Sequence, residues 1–217
     1  IVTNPNCVVV GIAMVFHPLH EAFGLEHAVV TTFQAISGAG RSGPSAGDLF
    51  DNVLPFIDGE EDKLGSEVRK ILGQSTKTGF ENAAMRVSAT CTRVGVAHGH
   101  LASISLNFRH PPQVEEARDV LNSFRGGVLQ DGLPGAPVQP IEVLEGDNRP
   151  QPRLDRDRGD GMTVTVGRIR PCEVHHLKMF VLSHNLVRGA AGAALLNAEL
   201  CHARGLTARL ANAEAKG

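Results

Sequence analysis

From Cys7 to Phe16 the chain is almost continuously apolar, and the Pro5-Asn6 pair before it supplies a helix start with Asn6 as cap. The length of the run favours a buried helix reaching about His17, although its valines leave a strand open. Leu25 to Ile36 is rich in β-branched residues and breaks off in Ser37-Gly-Ala-Gly-Arg-Ser-Gly-Pro44, which reads as a strand followed by a loop. Glu60 to Leu72 sets Leu64, Val68, Ile71 and Leu72 on one helical face and charges on the other. Met85 to Ala97 and His100 to Phe108 alternate polar and apolar residues, as two strands meeting near Gly99 would. A helix follows in Val114 to Phe124, then strands over Met162 to Arg170 and Leu177 to Leu182, then a small-residue helix from Arg188 and a polar tail after Leu210. The stretches Gly47 to Ile57, Val128 to Pro140 and Asn148 to Asp160 read as irregular. Strands outnumber helices, and the class is α+β with a mixed, largely antiparallel sheet.

Composition narrows what such a fold is for. The 217 residues carry 21 Lys and Arg against 23 Asp and Glu, with 42% hydrophobic positions, enough for a sizeable core and far from the signature of disorder. With no basic block, no Trp and no Tyr, a nucleic-acid surface is not expected. No apolar run is long enough to span a membrane, and a small-molecule partner is expected. Cys7, Cys91, Cys172 and Cys201 form no CxxC pair, so no zinc ribbon or disulfide scaffold is indicated and a reducing, cytoplasmic setting is expected. The opening Ile-Val-Thr-Asn has no initiator Met and no signal-peptide pattern, and reads as the remainder of something longer.

Several residues could carry chemistry. Cys7 stands at a helix N-terminus, where backbone N–H groups favour a thiolate, although a lone cysteine is also a common small core residue. Arg93 offers a fork for a carboxylate and His100 a proton carrier. Their separation of seven would put them on opposite faces of one straight strand, so a bend or bulge at Gly95 or Gly99 is needed. His98-Gly-His100 could be two metal ligands, but with no carboxylate or thiol at ligand spacing no metal is expected. Gly38-Ala-Gly40-Arg-Ser-Gly43 literally matches GxGxxG after a strand, yet Pro44 follows at once and no second parallel strand ends in an acidic residue about 20 residues on.

Taken together, TNPNC, TTFQAISGAG, Glu67-Val-Arg-Lys70, SATCTRVGVAHGH, RPQPRLDRDRGDGMTVTVGRIR and SHNLVRGAAGAALLNAE resemble the aspartate-semialdehyde dehydrogenase family, in its archaeal and fungal branch. The resemblance implies a glyceraldehyde-3-phosphate dehydrogenase-like C-terminal domain with helices on one face of the sheet. It implies Cys7 as nucleophile, His100 as acid/base, and Gln34 orienting the substrate carbonyl. It also implies Arg93 on the substrate α-carboxylate, Glu67 facing its amino group and Lys70 on phosphate. Ser37, Gly38 and Asn185 would meet the cofactor, NADP, and a homodimer or tetramer would form.

The expected reaction interconverts aspartyl-4-phosphate with aspartate semialdehyde and phosphate, on the way to lysine, threonine and methionine. Residues 1–182 would be the catalytic and dimerisation domain, and 183–217 a C-terminal helix returning to a nucleotide-binding domain that this stretch does not contain. Without that domain the chain is expected not to turn over. The alternatives are a malonyl-CoA or acyl-CoA reductase on the same scaffold, which Glu67 argues against because malonyl has no amino group, and a non-catalytic dimerisation module.

Overall fold

The computed structural model describes residues 1–41, 43–126 and 132–207; Ser42, 127–131 and the tail from 208 lie outside the description. In chain order the elements are α1 (Cys7–Phe23), β1 (Leu25–Gln34), a 3-10 turn (Ile36–Ala39), α2 (Ala46–Leu49), β2 (Val53–Leu54), α3 (Glu60–Ile71), β3 (Gln74–Thr76), β4 (Gly79–Glu81), β5 (Arg86–Val94) and β6 (His100–Phe108). There follow α4 (Val114–Ser123), β7 (Ile141–Leu144), α5 (Pro152–Asp155), β8 (Val164–Pro171), β9 (Leu177–Ser183), a π-helical turn (Val187–Ala191) and α6 (Gly192–Ala203).

The first helix runs past the expected end at His17, through Pro18, to a left-handed cap at Gly24. Its valines and isoleucine are poor helix formers, so packing rather than propensity holds it: Val8, Val9, Ile12, Val15, Phe16 and Leu19 are all buried. Each such side chain contributes roughly 1.5–3 kcal/mol on burial. Because β1 follows directly after Gly24, α1 lies back along β1, and its N-terminus returns to the strand's C-terminal end. Gly11 makes that packing close, since a Cβ there would stand 2.5 Å from Ser183 Oγ.

Seven strands form one sheet in the order β2-β5-β1-β6-β9-β8-β7. Only β1·β5 and β7·β8 are parallel; the other four pairings are antiparallel. The strands expected to meet near Gly99 therefore do not pair with each other. β1 is inserted between them, and the connection 95–99 crosses over its end, held by Ile36 N–H to Val96 O at 2.8 Å and Ser37 N–H to Ala97 O at 3.2 Å. Four strands escaped the hydrophobic pattern: β2 and β7, two and four residues long, and β3 and β4, a hairpin exposed throughout. Two expected irregular stretches contain single helical turns, α2 and α5.

Helices α1, α3 and α4 cover one face, toward which Ala28, Val30, Ala102, Ile104, Leu106, Met179 and Val181 point. Alternation puts Val29, Thr31, Phe33, Leu101, Ser103 and Phe180 on the other face, away from α1, α3 and α4. No helix among the described residues is long and apolar enough to cross a membrane.

Candidate active site

The period of two also decides where the polar side chains go. Gln34 is register partner to Arg93, and His100 to Ser183, and all four fall on the helix-covered face at the end of the sheet where α1 begins. Gln34, Arg93 and His100 are 1%, 5% and 2% exposed, so a polar cluster has been built inside the fold beneath the first turn of α1. Since Arg93 and His100 lie on two strands flanking β1, their meeting needs no bulge within a strand.

Cys7 sits on this cluster. Asn6 caps α1 by accepting the Val8 N–H at 2.9 Å, and the Cys7 sulfur lies 3.3 Å from His100 Nε2. The other ring nitrogen, Nδ1, accepts the Ala35 N–H at 3.0 Å. A backbone N–H can only donate, so the neutral imidazole carries its proton on Nε2 and presents it to the sulfur. Burial, reinforced by Arg93 and His184, pushes the His100 pKa down to about 3. Burial and the Glu60 carboxylate push the Cys7 thiol up to about 11, outweighing the N–H groups of the helix start and Arg93. The expectation that the helix start would produce a thiolate thus fails in this state: the pair is a neutral thiol facing a neutral imidazole.

Arg93 donates from Nη1 to Ala35 O at 2.9 Å, which leaves the rest of its fork for a ligand. Gln34 donates to Glu60 Oε2 at 3.1 Å, while Glu60 Oε1 accepts from Asn6 Nδ2 at 2.7 Å. Glu60 is therefore the α3 carboxylate at the cluster, and sequence reasoning missed it. Glu67 instead accepts the Asn6 N–H at 2.7 Å, and together with Lys70 it lines a hollow of about 370 Å³ beside Thr3, Asn4 and Pro5. A signal was available, because α3 carries the Glu-x-x-Lys spacing twice, in Glu60 to Lys63 and in Glu67 to Lys70.

The remaining expected residues form the rim. Gly38 has no room for a side chain: a Cβ there would stand 2.8 Å from His100 Cε1 and 2.9 Å from Arg93 Nη1. Gly189 packs on Cys7 in the same way, its Cβ position being 2.8 Å from Cys7 O and 2.9 Å from Cys7 Cβ. Asn185 is buried, with its amide bonded to Gly99 and Ser37. The GxGxxG match runs through a 3-10 turn into the single helical turn α2 and opens no longer helix. A cleft of about 620 Å³ lies at the opposite end of β1, lined by His20, Glu26, Arg86 and Arg109. Among the described residues no group of three or more His, Cys, Asp or Glu is placed to hold a metal.

Residues 16–188 match the family model described as semialdehyde dehydrogenase, dimerisation domain. The aspartate-semialdehyde dehydrogenase of Aspergillus fumigatus is 45% identical over 214 residues, covering 94% of this chain and 59% of that protein. Its counterpart from Archaeoglobus fulgidus is 46% identical over 200 residues, covering 92% and 57%. The crystal structure of aspartate semialdehyde dehydrogenase with NADP from Candida albicans superposes with a TM-score of 0.85 at 44% identity, over 93% of this chain and 57% of that one. The chain thus spans just under three fifths of the length of these relatives.

Proposed function

The chain belongs to the semialdehyde dehydrogenase family, and from that premise we propose that it carries the acyl-transfer chemistry of an NADP-linked aspartate-semialdehyde dehydrogenase. The observation that supports this most is the Cys7 sulfur 3.3 Å from a buried His100 whose ring is fixed from behind by a backbone N–H.

In the biosynthetic direction Cys7 attacks the carbonyl carbon of aspartyl-4-phosphate. The C–S bond forms, the carbon–oxygen bond to phosphate breaks, and phosphate leaves carrying the proton that the thiol gives up, with a thioester on Cys7. The His100 Nε2–H is read as a donor to the reacting carbonyl oxygen, with Gln34, whose amide now donates to Thr32 and Glu60, as the second, and Arg93 takes the α-carboxylate through the nitrogens it does not spend on Ala35. A carboxylate must meet the substrate ammonium, and Glu60, bonded to Gln34, is the better placed of the two α3 candidates. By the same one-turn spacing, Lys63 joins Lys70 as a candidate for the phosphate. The nicotinamide cofactor supplies the hydride when bound. The bare glycines at 38 and 189, where any Cβ would strike His100 or Cys7, fit the close approach of a flat ring to the sulfur.

Residues 1–182 are read as the catalytic and dimerisation unit and the segment from 183 as a return to a nucleotide-binding domain. The sheet face around Val29 and Phe180 is read as the contact with a second copy. Purified alone, the chain is expected to show no NADP-dependent turnover. Completed to its relatives' length, it should reduce aspartyl-4-phosphate with NADPH and lose that activity on Cys7→Ser, whereas full activity of that variant would end the reading. Replacing Glu60 by Gln and Glu67 by Gln in turn, with the KM for aspartate semialdehyde as readout, decides which carboxylate meets the ammonium.

A further inference from the structure

Asn185 stands two residues beyond the end of β9, is 1% exposed, and joins two loops far apart in the chain. Its Oδ1 accepts the Gly99 N–H at 2.9 Å and its Nδ2 donates to Ser37 Oγ at 2.9 Å. The orientation of the amide follows from chemistry, because the Gly99 N–H can only donate and so must face the oxygen.

Both loops bear on His100. Gly99 immediately precedes it with φ +96°, and a Cβ there would be 3.1 Å from Arg156 Cβ and 3.3 Å from Leu182 and Pro152, so the turn into β6 is wedged from the far side as well. Ser37 precedes Gly38, which presses on the imidazole ring. The ring is therefore bounded by the Gly99 turn that Asn185 holds, by the Gly38 loop that Asn185 holds, and by the Ala35 N–H on Nδ1. The other groups facing it are the Cys7 thiol, the Arg93 guanidinium and the His184 imidazole, which is stacked on His98 with Asp157 and Arg156 beyond.

We propose that Asn185 is a positioning residue for His100: by tying Gly99 to Ser37 it holds the imidazole where Nδ1 accepts from Ala35 and Nε2–H meets the Cys7 sulfur. This rests on the reading of Cys7 and His100 as the reacting pair, and it differs from a contact between Asn185 and the cofactor, which would act only when the cofactor is present.

The test is a cofactor-free titration of ¹⁵N-histidine-labelled chain by NMR, comparing the unaltered protein with Asn185→Ala and Ser37→Ala. The unaltered chain should show His100 as a single Nε2–H tautomer with no protonation down to about pH 5. Asn185→Ala should give mixed tautomers and a midpoint moving up toward the ordinary value near 6.5. Ser37→Ala, which removes one of the two bonds, should move it less in the same direction, and it carries the test should the alanine variant at 185 not fold. In the chain completed to its relatives' length, Asn185→Ala should lower kcat on the order of 10²-fold, as a misplaced group does, with the KM for NADP changed by less than about threefold. His100 signals unchanged in both variants, or a raised KM for NADP with kcat intact, would overturn the proposal. Turnover surviving Cys7→Ser would instead overturn the reading of the site and leave the NMR result standing.

Discussion

Cys7 and Cys172 both sit at backbone N–H groups, yet they end on opposite sides of the ordinary thiol value of 9.0. Cys172, in the turn between β8 and β9, accepts the His175 N–H at 3.5 Å, and with help from Val174 N–H and Lys178 this pulls its thiol down. Cys7 has the N–H groups of a long helix and Arg93 nearby, but burial and Glu60 outweigh them. The lesson is that a helix start does not make a thiolate by itself; how much water has been removed decides the sign. A resting Cys7 kept as a thiol resists stray electrophiles. A substrate ammonium docking on Glu60 would remove one of the two causes holding it there.

The contrast can be broken most forcefully by activity. In the chain completed to its relatives' length, Cys7→Ser should cost on the order of 10⁴-fold or more in kcat, as loss of a nucleophile does, whereas Cys172→Ser should leave steady-state rates within about twofold. Next in size is Gly38→Ala, whose methyl group would displace His100 and Arg93 together; kcat should fall on the order of 10²-fold. Smaller again is the order of alkylation, read by peptide mapping at about pH 7.5. Cys172 should label at least about tenfold faster than Cys7, and Glu60→Gln should narrow the gap by speeding Cys7. Cys7 labelling first in the unaltered chain would contradict the burial argument.

A separate effect is on stability against pH. His100 is neutral in the fold down to about pH 3 but takes a proton near 6.5 when unfolded, so between those values the unfolded state binds more protons and stability falls as pH falls. Cys7 keeps its proton to about pH 11 in the fold but loses it near 9.0 when unfolded, so stability falls again as pH rises through that window. The melting temperature should therefore be highest between about pH 6.5 and 9, with His100→Gln flattening the acid side and Cys7→Ala the alkaline side. Unchanged slopes in those variants would show that other groups dominate the pH dependence.

The long apolar helix, the alternating strands and the NPNC start were legible because each rests on a local signal: an uninterrupted apolar run, a period of two, an asparagine before a helix. What was not legible was non-local. Nothing in the alternation of Met85 to Phe108 says that β1 will slide between the two strands, since the same pattern suits a hairpin. β7 buries Ile141 and Leu144 but is too short to show a period, and the β3–β4 hairpin is exposed throughout and leaves none. The choice between Glu60 and Glu67 is of the same kind: they lie seven residues, about two turns, apart on one helix, and only the packing of α3 shows which turn reaches Gln34.

The insertion of β1 turns the seven-residue interval between Arg93 and His100 into a bridge span. Two strand spacings, roughly 9.6 Å, separate β5 from β6, and the five residues 95–99 must cover that width while arching over the end of β1 and bonding to Ile36 and Ser37 on the way. Fully extended, that connection could span roughly 20 Å, about twice the width, and the excess is taken up in the arch over β1 and in the bonds to Ile36 and Ser37. The interval is a measure of how wide a gap the chain has to cross, and that width is one strand.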